Sequence, residues 1–149
     1  MPDKAGEENT LFHYIKNQGR QYVYENGQYL DEGSIDIIYE GVGYQITNGD
    51  TQQLGVYKRA MNLYSKFSGM RNLSMDSYAK MCLEGALKNK RMHDGQNVTL
   101  LIDCTYSSWL SLQEREGLFV KYFHDNEKEL GGSWKSIVVI CMDGNILLR

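Results

Sequence analysis

Apolar residues along this chain follow three rhythms. From Leu11 to Thr47 they alternate with polar ones: "LFHYIKN" and "QYVYEN" lie either side of Gly19-Arg20, "ENGQ" carries an Asn-Gly pair, and "SIDIIYE" and "YQIT" follow, separated by "GVG". Period-two alternation broken by turn residues predicts a meander of three or four short strands. From Asp50 the spacing becomes helical. Asp50 and Gln53 have the separation of a capping box, Leu54, Tyr57, Met61 and Tyr64 recur on one helical face, and Gly69 supplies a stop. A second helix is predicted with Ser74 as its N-cap, running through Tyr78, Met81, Cys82, Leu83 and Leu87 to the basic end "KNKR".

The third rhythm is consecutive. "NVTLLID" and "SIVVICM" are apolar on adjacent positions, the mark of strands covered on both faces. Between them Ser111 and Glu114 repeat the capping-box spacing, and Leu118, Phe119, Tyr122 and Phe123 lead a helix to Leu130, with Gly131-Gly132 as its stop. Asp143-Gly144-Asn145 then makes a turn before a last strand, "ILLR". The expected fold is α+β or α/β. It comprises a β meander over 1–50, a helical hairpin over 51–93 and a βαβ unit with an added hairpin strand over 94–149.

Length and composition make this one domain. A chain of 149 residues holds a real core but not two, and a single proline argues against a linker or disordered tract. Cys82, Cys104 and Cys141 are odd in number and far apart, which suits free thiols in a reducing compartment. The opening "MPDKAGEENT" is polar and acidic where a secretory leader would be basic and then apolar, and no apolar run reaches membrane-spanning length. The expectation is a cytoplasmic protein with no membrane partner.

Charge is distributed unevenly. Residues 1–50 hold three Lys/Arg against nine Asp/Glu, residues 51–93 eight against two, and residues 94–149 five against eight. A basic middle between acidic ends either matches those ends internally or offers a surface to an anionic partner. Lys88, Lys90, Arg91 and Arg71, with Lys135 further along, are the candidate anion-binding residues, and nucleic acid or a nucleotide the candidate partner.

The candidate chemistry centres on histidine. Of His13, His93 and His124, two stand in His-Asp pairs, His93-Asp94 and His124-Asp125. An imidazole titrating near ~6.5 can act as acid or base in phosphodiester cleavage without a metal, and two can divide the roles. Asp103 closes the "TLLID" strand, where α/β proteins place ligands beyond strand ends, so it is either the acid that orients His93 or His124 or the N-cap of the following helix. Cys104 beside it reads as a buried thiol. There is no HExxH, CxxC, P-loop, GxSxG or GxGxxG, so no metal or cofactor is expected.

The segment "FHYIKNQGRQYVYENGQYLDEG" resembles the tail of an Rhs or YD-repeat polypeptide, with its short aromatic hairpins. The resemblance implies a toxin or effector domain delivered as part of a larger protein, acting inside a cell and countered by a cognate immunity protein. It assigns no catalytic residue. Two functions therefore stand: an effector acting on nucleic acid or a nucleotide, or a non-catalytic cytoplasmic interaction protein of the immunity or adaptor kind.

Overall fold

In the computed structural model, residues 4–30, 33, 35–50, 71–89, 97–105 and 110–149 are described. They form a six-stranded mixed sheet with helices on both faces, an α+β fold. The elements are α1 (Lys4–Asn17), a 3-10 turn (Tyr24–Asn26), β1 (Gly27–Tyr29), β2 (Ile37–Tyr39), β3 (Val42–Asn48), α2 (Arg71–Asn89), β4 (Val98–Asp103), α3 (Leu112–Asp125), α4 (Glu127–Leu130), β5 (Ser136–Cys141) and β6 (Gly144–Leu147). The strands lie side by side in chain order. β3, β4 and β5 are parallel, and β1-β2-β3 and β5-β6 are antiparallel.

The C-terminal unit follows its hydrophobic pattern. Leu100 pairs with Ile137 and Ile102 with Val139, so the two consecutive apolar runs are neighbours in the sheet centre. Alternation then divides each strand between two cores. Val98, Leu100, Ile102, Ile137, Val139 and Cys141 face α2 and α3, whereas Leu101, Val138 and Ile140 face α1. Ser111 caps α3 through its Oγ, which accepts from the Glu114 backbone N–H at 3.2 Å. The predicted continuous helix to Leu130 is interrupted at Asn126, which caps α3 before the short α4.

The N-terminal part departs from the expected pattern. Residues 4–17 are helical, not a strand, and residues 24–26 form a 3-10 turn, so the meander starts only at Gly27. Leu11 and Ile15, four apart, are the apolar positions of α1 that are wholly buried, and helical spacing alone puts both on one face. Phe12, His13 and Tyr14 between them mask that period with apolar bulk. The hairpin turn is Glu40-Gly41 rather than Asn26-Gly27, with φ of +50° and +80° at its two central residues. Two positive φ values twist the turn in the sense that β2 and β3 need.

Tyrosines hold this end together by packing on one another. Tyr22 stacks on Tyr39 with ring centroids 5.3 Å apart, and Tyr14 meets Tyr44 edge-on at 5.7 Å. Helix α2 runs through Ser74 instead of starting there, and buries Tyr78, Ala79, Cys82, Leu83, Ala86 and Leu87 on the sheet. The helix expected between Asp50 and Gly69 lies outside the described residues, and with it the helical hairpin.

Candidate functional site

Asp103 ends β4 on the α1 side of the sheet and is 5% exposed. Its Oδ2 accepts from the Thr10 hydroxyl at 2.6 Å, and its Oδ1 accepts from the backbone N–H of Thr105 at 3.0 Å and from the Thr105 hydroxyl at 2.8 Å. The Asp103 carbonyl in turn accepts from the N–H groups of Gly49 and Asp50, at 2.8 and 3.2 Å. One residue thus joins α1, the chain leaving β3 and the turn after β4. The N-cap of the following helix is Ser111, so the capping role considered for Asp103 belongs to another residue.

His13 stands one helical turn beyond Thr10, on the same side of α1. Its ring is half-buried, and its Nδ1 is buried without a hydrogen-bond partner. Burial pushes its pKa below the ordinary value, the Asp103 carboxylate opposes that shift in part, and Lys16 adds to it. A neutral imidazole at pH 7, close enough to feel an acid, is the ordinary condition of a general base. The fold thus brings Asp103 near His13, the histidine outside the two His-Asp pairs. A usable signal was Thr10, His13 and Asn17, a polar stripe at i, i+3 and i+7 once the segment is read as a helix. Asn17 extends that stripe, donating to the Cys141 carbonyl at 2.8 Å and to Asn145 Oδ1 at 3.0 Å.

The other candidates lie elsewhere. His124 is exposed on the last turn of α3, beside the Phe123 ring. Helix α3 leads from the end of β4 back toward the start of β5, and its 14 residues span about 20 Å, so Asp103 and His124 belong to opposite ends of the sheet. Lys135 is exposed near that second end, where its N–H bonds to the Val98 carbonyl at 3.0 Å. Lys88 pairs with Glu84 at 3.3 Å on the α2 surface. Arg71 opens the described part of α2 and Lys88 nearly closes it, so the two backbone positions lie about 25 Å apart along the axis. Lys90, Arg91 and His93 lie outside the described residues.

Two further groups sit near the strand ends. Arg115, on the second turn of α3, is 1% exposed; its Nε and Nη2 donate to the Leu110 carbonyl, and its Nη2 meets Asp143 Oδ2 at 2.6 Å. Its Nη1 is buried with no partner. All three thiols are buried in the α2/α3 core. Hydrogen bonding to Cys82 and burial hold the Cys104 thiol protonated, and burial pushes Cys141 up to about 12 although Arg115 pulls the other way. Neither is an activated nucleophile. A separate groove of about 290 Å³ between α2 and α3 is lined by Ser77, Lys80, Leu118, Lys121, Tyr122 and Asp125, and its lysines are matched by carboxylates: Lys121 with Asp125 at 2.9 Å and Lys80 with Glu84 at 3.8 Å.

Among the described residues no group of three or more His, Cys, Asp and Glu is placed to hold a metal ion, and no helix is long and apolar enough to cross a membrane. Compared with family models, with curated proteins and with solved structures, the chain matches none.

Proposed function

We propose that this chain is an effector-type enzyme acting on a nucleotide or nucleic acid where β3 and β4 end, with His13 as its proton-transfer group in place of His93 or His124. The observation that supports this reading is the hydrogen bond of Asp103 with Thr10, one helical turn before His13 on α1. A neutral imidazole with an unpartnered nitrogen lies close to a buried carboxylate, at the strand ends where α/β proteins carry ligands. Asp103 serves as a positioning residue, because its oxygens already bond Thr10 and Thr105. The segment resembling Rhs tails contributes to α1, the 3-10 turn and β1 rather than to aromatic hairpins, so the reading rests on the site and not on that likeness.

The second reading, a non-catalytic interaction protein, draws support from the same carboxylate. A buried acid with both oxygens satisfied inside the fold serves structure alone equally well. Expression in bacteria, paired with cleavage assays on RNA and on nucleoside triphosphates, separates the two. Growth arrest and cleavage by the unaltered chain, lost on His13→Gln and kept on His124→Ala, support the enzyme. A folded chain that neither arrests growth nor cleaves either substrate favours the interaction protein.

A further inference from the structure

Leu11 and Ile15 carry the packing of α1, yet the same helix holds Phe12 out in solvent, 38% exposed. Two neighbouring rings fix its orientation. His13 meets it near-perpendicularly with centroids 5.3 Å apart, and Tyr22 does so at 5.9 Å. Tyr22 is itself held in place, stacked on Tyr39 and hydrogen-bonded to the Tyr29 hydroxyl. Over the face of the Phe12 ring stands the Lys16 ammonium, 5.9 Å from the centroid. Lys80, Lys88 and Lys121 are each paired with a carboxylate, whereas Lys16 has no such partner among the described residues. One turn of α1 gathers a fixed aromatic ring, an uncommitted cation and the imidazole of His13.

We propose, resting on the reading of His13 as the proton-transfer group, that Phe12 and Lys16 bind the substrate of that site: Phe12 stacks an unpaired nucleobase and Lys16 holds the phosphate attached to it. The substrate class is thereby an unpaired nucleoside phosphate, because a base inside a duplex has no free face to stack. Every base has such a face, so the contact sets no sequence requirement. A cation–π contact at an exposed ring is weaker than base stacking, so the base displaces the ammonium from the ring and frees it for the phosphate. Charge sets the direction in which the ligand lies. Glu8 is four residues before Phe12 and Lys16 four after it, about 12 Å apart along the helix axis, so the phosphate lies toward Lys16 and His13 and away from Glu8.

Titration calorimetry on the full chain tests this with adenosine monophosphate, ribose phosphate, and a single-stranded and a duplex oligonucleotide of one sequence. Adenosine monophosphate should bind about tenfold more tightly than ribose phosphate, the difference being the stacked base. Phe12→Leu, which keeps apolar bulk against Tyr22, should erase that preference, and Phe12→Trp should keep it. Lys16→Gln should weaken both ligands and lower the salt dependence of binding. The single strand should bind more tightly than the duplex. A strand bound more tightly than the monophosphate makes nucleic acid the substrate, and the reverse order a free nucleotide. Equal affinity for the two small phosphates, a preference that survives Phe12→Leu, or a duplex bound as well as the single strand would overturn the inference. Cleavage lost on His13→Gln but unchanged by Phe12→Leu would also overturn it, and would leave the enzyme standing. Adenosine monophosphate binding that needs Phe12, in a chain that cleaves nothing, would keep the stacking site and overturn the catalytic reading instead.

Discussion

Thr10 and Asp103, 93 residues apart in sequence, are joined by a 2.6 Å hydrogen bond inside the protein. Both are buried; removing Thr10 takes from Asp103 Oδ2 its donor, whereas removing Asp103 leaves the Thr10 hydroxyl the Gly6 carbonyl at 3.0 Å and takes from Thr105 the acceptor of its N–H and hydroxyl. Thr10→Val and Asp103→Ala should each cost about 1–3 kcal/mol in urea unfolding, while Asp103→Asn should cost less, since it keeps an acceptor for the Thr105 N–H. The double variant should cost less than the two singles added, because each removes the same bond. Full additivity would show that the two side chains do not act together.

Gly49 passes so close to the end of β4 that a Cβ there would collide with the Cys104 Sγ and press on Ile102. Gly49→Ala should therefore destabilise by about 1–3 kcal/mol, the usual cost of overpacking. Adding Cys104→Ala should recover part of the loss by vacating the space. A melting temperature unchanged by Gly49→Ala would mean that the two segments part more readily than their contact implies.

Acid should weaken the fold partly through His13. Its pKa is lowered by burial, so the unfolded chain binds its proton first, and stability falls as pH drops from about 6.5 toward the lower folded value. Above that window the imidazole is neutral in both states and contributes no pH dependence. His13→Gln should flatten the stability profile immediately below about pH 6.5, leaving the steeper carboxylate-driven loss at lower pH. Identical profiles for the two proteins would place the His13 ring in solvent.

Ser111→Ala removes the oxygen that accepts the Glu114 N–H at the start of α3, and should cost about 1 kcal/mol. Ser111→Asp should keep the cap and nearly all of the stability. Chemical denaturation of the three proteins side by side measures it, and equal midpoints for all three would show that α3 starts without this cap.

Legibility in the sequence followed how far each segment's pattern excluded alternatives. Val98–Asp103 and Ser136–Cys141 carry apolar residues on both faces, a pattern that only central strands bear at that length, and the pair is adjacent and parallel. Residues 11–17 were ambiguous. Leu11 and Ile15 mark a helix face, but His13 and Tyr14 also satisfy alternation, and tertiary packing against Leu101 and Ile140 decides between them. The misread helix hid the site as well, since His13 is near Asp103 only when its segment coils. Asp103 was legible as a strand end, whereas its partner Thr10 was not, because nothing local links residues so distant in sequence.

The docking of α1 has a consequence for how the molecule assembles. Its landing surface combines Ile37, Tyr39, Tyr44 and Ile46 of β2 and β3 with Leu101, Val138 and Ile140 of the later strands, and Asn17 is fastened to Cys141 and Asn145. During synthesis this helix emerges long before β4 and β5, and until they arrive Leu11 and Ile15 are covered only from the β2 and β3 side. Contacts of that sequence separation make folding slow and leave sticky surface open meanwhile. For this protein the first helix made is completed by strands made much later, an interval in which a chaperone's cover would serve α1.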